Sequence, residues 1–387
     1  MHFVTQPIGP LPNIVIGCLT TVFIAGFLAV SPASSAFAGD PIDLPPVILQ
    51  ILRNEAVYRE LQLSDDEIGR VEVAVDSIDG DWWRSRIMQD AQRIATVQSL
   101  TNKLKGELEK ILRPQSYSRL LQLERQSLGT RMFLDADVAS LLTLSPQTIE
   151  KMIAVVAESD TKAKALQQRL QAGESAQALE PTRQEITKQE LNSIVALLSN
   201  EQKLRIKELT GPTFNYSQIL RSYPRAPELL QTQDQWLQGT LTSLKDLRGK
   251  VVALHFYAFQ CINCQRNLPH YSGWYDDYAD KGLVVIGIQT PETSSERDPD
   301  RVARAAKEQT IRYPILMDPA SKNWQAWGNT MWPTVYLIDR EGYIRTWWQG
   351  EMNWQGKEGE KQMRGNIETL LNESPVAAKL TESAIDC

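Results

Sequence analysis

The sequence predicts an α + α/β protein, an all-α helical module followed by an α/β domain whose sheet is covered on both faces. Two observations carry that prediction. From Pro41 to about Thr210, apolar residues recur at spacings of three and four, as in Ile149, Met152, Ile153 and Val156, and good helix formers dominate. Beyond Gln233 come the strand-type runs Val251 to Tyr257, Leu283 to Ile288 and Val335 to Ile338, apolar on both faces and alternating with helical stretches such as Asp300 to Thr310.

Composition bounds the rest. The 387 residues are 42% hydrophobic, with 41 basic and 47 acidic side chains and a formal net charge of −6. Such a chain is neither basic enough for a nucleic-acid partner nor apolar-poor enough for disorder, and four cysteines cannot staple a fold of this length. At about 150 residues per domain the length suggests two to three domains. The cysteines are therefore free for chemistry.

Taken in order, residues 1–38 read as a signal peptide or membrane anchor. The uncharged, mostly apolar run Ile14 to Val30 leads to Ala36-Phe37-Ala38, a small-x-small cleavage site, and Cys18 falls inside the run. Export would place the rest where disulfides form, in the periplasm or cell envelope.

Residues 39–211 read as a helical domain. Leu63-Ser64, Leu112-Arg113-Pro114, Leu144-Ser145-Pro146 and Leu198-Ser199 each put a leucine before a helix start; Ser64 with Glu67 and Ser199 with Gln202 form capping boxes. The stretches near Val57 and Val138, and near Ile111 and Leu197, look duplicated, which suggests two similar helical hairpin units. Leu198 to Gln202 resembles the LTxxQ motif of the Spy/CpxP-like helical proteins, although such a motif is equally a helix cap. Trp82 and Trp83 read as a buried helix start or a contact surface. Residues 212–233, with Gly211-Pro212, Tyr223-Pro224 and Ala226-Pro227, read as the linker, and 234–387 as the α/β domain with a tail ending in Cys387, a tail thiol.

Directly after the first strand stands Cys261-Ile262-Asn263-Cys264. A first cysteine at a helix N-terminus has free N–H groups and the helix dipole to stabilise its thiolate, and the second lies one turn on, within disulfide reach. Cys261 is thus the expected nucleophile and Cys264 the resolving thiol of a redox-active pair. Zinc would need further ligands, and beyond residue 2 the histidines are only His255 and His270, so no metal and no cofactor is expected. A merely structural disulfide is the other alternative; closing so small a loop gains little entropy.

Residues from about 236 to 372 resemble a thioredoxin-like domain of the TlpA/ResA/DipZ redoxin group. The resemblance rests on Leu247 to Val252, the Cys261–Cys264 motif with Pro269 beyond it, Gly282 to Ile288, and Trp332-Pro333-Thr334 leading into Val335 to Asp339. It implies a cis Pro333 packed near the cysteines, substrate binding at Trp332, Pro333 and Thr334, and an inserted segment at about Gln289 to Ile315. It further implies reduction of disulfides in envelope proteins, with a membrane thiol carrier as electron donor.

Some positions depart from the family. Where thioredoxins carry Trp before the first cysteine and a buried Asp six residues before it, this chain has Gln260 and His255, and no buried carboxylate is evident. His255 either helps to move the Cys264 proton or is a neutral core histidine. Trp327 and Trp332 are candidates for an apolar rim. Two other functions stay open: a binding or chaperone-like protein whose cysteines only sense redox state, and a peroxiredoxin-type peroxidase. Against the second, Ala258 stands where that chemistry needs Thr or Ser.

Overall fold

The computed structural model describes residues 44–373. The expected signal or anchor segment with Cys18, and the tail with Cys387, lie outside the described residues. Two compact units divide the chain. One holds Glu72–Met88 together with 221–373, and the other holds 44–71 and Gln89–Leu220.

The second unit is all helical: α1 (Val47–Ile51), α2 (Glu55–Glu60), the first residues of α3 (Asp65–Ser85), α4 (Asp90–Ile111), α5 (Pro114–Leu128), α6 (Ala136–Leu141), α7 (Pro146–Gln171), α8 (Ala176–Ala196) and α9 (Asn200–Thr210). Four of these begin where the leucine-led signals fall. Pro114 and Pro146 open α5 and α7, where a missing N–H costs nothing. Ser64 Oγ accepts from Glu67 N–H while the Glu67 carboxylate accepts from Ser64 N–H, and Ser199 with Gln202 repeats the box at α9. Phe214 and Tyr216, within the stretch read as linker, are buried in this unit: Tyr216 Oη donates to the carbonyl of Leu123, and Gln126 Oε1 accepts from Phe214 N–H.

The other unit is built on a six-stranded sheet in the order β1-β4-β3-β2-β5-β6. Its elements are β1 (Trp236–Gln238), β2 (Val251–Tyr257), α10 (Ile262–Tyr278), β3 (Leu283–Gln289), α11 (Pro299–Glu308), β4 (Ile315–Met317), α12 (Lys322–Ala326), β5 (Thr334–Ile338), β6 (Ile344–Gln349) and α13 (Gly359–Asn372). β2, β3 and β4 run parallel, while β1, β5 and β6 add antiparallel. All seven residues of β2 are buried, as a central strand covered on both faces requires. Because side chains alternate, Val251, Ala253 and Tyr257 pack with Leu268, Tyr271 and Trp274 of α10 and Met363, Ile367 and Leu370 of α13. Val252, Leu254 and Phe256 face the opposite layer with Trp236, Leu244, Trp327 and Tyr336. The α + α/β class thus holds, with a thioredoxin-like order of strands and helices in the second part.

Trp83 belongs to that opposite layer. It lies in the last turn of α3, not at a helix start, and is buried against Tyr336 and Trp347 with edge-on ring contacts. The helix boundary was misread because Asp79-Gly80-Asp81 looks like a turn, yet continuous backbone bonding carries α3 through it. Among the described residues, no helix is long and apolar enough to cross a membrane.

Candidate active site

Strand β2 ends at Tyr257 and the chain turns through Ala258, Phe259 and Gln260 into α10, whose N-cap is Cys261. The turn is held closely. Cys261 N–H donates to Ala258 O, and the Phe259 carbonyl accepts from Gln265 Nε2 at 2.8 Å and Gln309 Nε2 at 3.3 Å. A sharp strand-to-helix turn of this kind leaves Cys261 part-exposed at the first turn and sends Cys264, one turn later, into the core at 0% exposure.

Both thiols are free, and their environments push them apart. The Cys264 thiol hydrogen-bonds to Cys261 and, with the N–H groups of Asn263 and Cys264, outweighs partial burial to hold Cys261 down at about 7. Burial, followed by that same hydrogen bond, pushes Cys264 far above the ordinary thiol range. At neutral pH the pair is therefore a part-exposed Cys261, about half ionised, beside a buried, protonated Cys264.

His255 faces the same side of the sheet but is enclosed by rings. Its imidazole stacks on Tyr271 at 4.2 Å between centroids and lies 5.1 Å from Tyr257 and 5.3 Å from Tyr313. Neither ring nitrogen has a hydrogen-bond partner, and complete burial pulls its pKa down to about 3. This is the environment of a neutral core histidine, and no hydrogen bond joins it to Cys264.

The bond between Trp332 and Pro333 is cis, and Pro333 is buried. The Pro333 carbonyl accepts from Gly350 N–H, Thr334 Oγ1 donates to Met331 O, and Thr334 pairs with Phe256 of β2. Trp332 packs at the edge of the core cluster that holds Cys264, stacks on Trp324 at 4.0 Å, and donates its indole N–H to Thr290 O. No backbone hydrogen bond within the described residues engages the Trp332 N–H or C=O. Trp327 is 0% exposed and belongs to the core, so the apolar rim read from the sequence is corrected: the partner of Trp332 is Trp324, because α12 turns Trp327 inward.

A buried carboxylate is present after all. Glu296, 0% exposed between β3 and α11, accepts from Gln260 N–H at 2.8 Å and from Glu292 and Thr293 N–H at 2.7 and 2.9 Å. The Gln260 side chain in turn accepts from Thr293 Oγ1 and Ser295 Oγ, both at 2.7 Å. The residue before the nucleophile is thus clamped at backbone and side chain. The only sequence signal was Thr293-x-x-Glu296, a capping-box spacing. Asn267, which stands where TlpA/ResA-like redoxins often carry Glu, is buried on α10, donates to Gly350 O and accepts from Met352 N–H.

Residues 225–347 match the model of the AhpC/TSA family. Protein DipZ of Mycobacterium tuberculosis is 42% identical over 139 residues, 36% of this chain and 19% of DipZ. Thiol-disulfide oxidoreductase ResA of Bacillus cereus is 29% identical over 119 residues, 31% of this chain and 64% of ResA. Among solved structures, a thiol-disulfide isomerase from Corynebacterium glutamicum aligns with 38% of this chain and 98% of its own at 23% identity, with a TM-score of 0.33. The chain spans about a fifth of the DipZ relatives it matches. The C-terminal part of this chain, which carries Cys261 and Cys264, is a redoxin domain of the AhpC/TSA type with a thioredoxin-like fold.

Proposed function

We propose that the chain is a thiol-disulfide oxidoreductase that reduces protein disulfides through a Cys261–Cys264 dithiol/disulfide couple. The observation that carries this reading is the asymmetry of the pair: an accessible thiolate at Cys261, held near 7, beside a buried, protonated Cys264. The similarity to the thiol-disulfide oxidoreductase ResA supports the same chemistry.

The steps balance without a cofactor. Cys261 thiolate attacks one sulfur of a substrate disulfide, forming a mixed disulfide and expelling the other sulfur as thiolate. Cys264 then attacks Cys261 Sγ, and its proton leaves with the departing substrate thiolate. The substrate gains two electrons, and the enzyme keeps a Cys261–Cys264 disulfide that an external thiol reductant must reopen. The unengaged N–H and C=O of Trp332 suit β-type pairing with an extended peptide beside Pro333 and Thr334. The proposal includes export, disulfide-containing envelope proteins as clients, and a membrane thiol carrier as donor.

The test is a trap. Reduced Cys264→Ser in the full chain, mixed at neutral pH with a peptide carrying one disulfide, accumulates a peptide adduct on Cys261, whereas wild type releases reduced peptide. A wild type that leaves the peptide oxidised, or an adduct that forms elsewhere and never on Cys261, overturns the proposal.

A further inference from the structure

The layer opposite α10 and α13 has little helix of its own. Between β4 and β5 the chain supplies only the five-residue α12, and Trp83 packs edge-on against Tyr336 and Trp347 on that side. Trp83 comes from a segment far from the redoxin-matched region, yet it belongs to the same compact unit. The indole N–H of Trp83 donates to the Trp327 carbonyl at 2.9 Å.

Arg86, three residues on, does more than fill space. Its Nη2 lies 2.6 Å from Trp327 O, 2.8 Å from Gly328 O and 3.1 Å from Tyr336 Oη, while Nη1 donates to Trp83 O at 2.7 Å. The guanidinium also lies 3.8 Å over the Trp83 ring, and its partners are neutral groups, not a carboxylate. Trp327 and Gly328 begin the loop that runs through Trp332 and Pro333; Tyr336 stands in β5, just past its end. One planar cation therefore grips both ends of the loop, a geometry its fixed fork of donors makes possible and a point-charge lysine does not.

We infer that Glu72–Met88 is a working part of the redox domain, in which Arg86 and Trp83 are positioning residues that fix the 327–336 loop and so set the strip where an extended substrate pairs. The inference deepens the proposed function, since that strip matters only if a peptide docks there. Substrates read through the strip feel the helix; the thiolate itself, which touches neither residue, does not need it.

The test uses the full chain with Arg86→Met and the milder Trp83→Phe, which removes the indole N–H donor together with part of the ring and guards against an Arg86 variant that fails to fold. With a single-disulfide peptide as substrate, KM rises about tenfold in Arg86→Met and a few-fold in Trp83→Phe while kcat stays within about twofold, the pattern of lost uniform binding. Amide exchange gives a reading that does not depend on activity. The amides of Trp327, Gly328 and Asn329, now bonded back to α12, exchange about tenfold faster in Arg86→Met, and those of β2 do not change. Unchanged exchange at 327–329 in both folded variants overturns the inference, as does equal loss of KM and kcat with general loosening of β2. A wild type unable to reduce the peptide would sink the proposed function instead, leaving the exchange data to decide this one.

Discussion

Replacing Cys264 by alanine removes the largest cause of the lowered Cys261 pKa while leaving the Asn263 and residue-264 backbone N–H groups in place. With a midpoint of about 7, half of Cys261 is thiolate at pH 7, against about 1% for a thiol at its ordinary value of 9.0. If the Cys264 hydrogen bond supplies about half of the lowering, the midpoint moves to about 8 and the thiolate at pH 7 falls to about a tenth. The rate of alkylation at pH 7 then drops about fivefold, and the two proteins converge above about pH 9, where both are ionised. The assay follows iodoacetamide modification of the Cys261 peptide by mass as a function of pH. Cys264→Ser, which keeps a hydroxyl donor, falls between the two. A wild-type midpoint near that of a free thiol, or an alanine variant with the wild-type midpoint, refutes the reasoning.

His255 makes stability pH-dependent. Its folded pKa of about 3 lies below its unfolded value of 6.5, so between these the unfolded chain binds more protons; the contribution is whole above 6.5 and is lost as pH falls toward 3. At pH 5 the loss is about 2 kcal/mol, which His255→Phe abolishes in urea titrations at pH 7.5 and 5; equal pH dependence in the two proteins contradicts the assignment. Glu296→Ala leaves the N–H groups of Gln260, Glu292 and Thr293 without their acceptor and costs about 2–4 kcal/mol, lowering Tm by roughly 5–10 °C. Melting within about 1 °C of wild type contradicts the clamp.

How much was legible follows from what each feature depends on. The helix starts at Pro114, Pro146 and Ser199 were readable because caps and N1 prolines act within one turn. Strands β2 and β3 were readable because both faces are buried, which leaves an unbroken apolar run. The short β1 and β4 carry too few residues to show a period. The environment of Cys261 follows from a local motif, since the helix start, the backbone N–H groups and Cys264 lie within four residues. Glu296 and Arg86 were invisible for the opposite reason. Each acts across a long stretch of chain, Glu296 on Gln260 and Arg86 on Trp327, and a charged residue in sequence reads as solvated surface until its backbone partners are known. Whether Trp327 lines a rim or sits in the core was not legible, because tryptophan spacing does not say which way a short helix turns.

The central claim is that Cys261 and Cys264 interconvert as one two-electron couple. The direct measurement equilibrates the full chain in buffers of graded thiol-to-disulfide ratio, quenches with acid, and alkylates under denaturing conditions. The peptide holding both residues should be found doubly alkylated or unmodified and internally bridged, with a single midpoint that a two-electron transition describes. A pair that stays doubly alkylated under oxidising buffers, or that collects singly modified species without a bridge, contradicts the account.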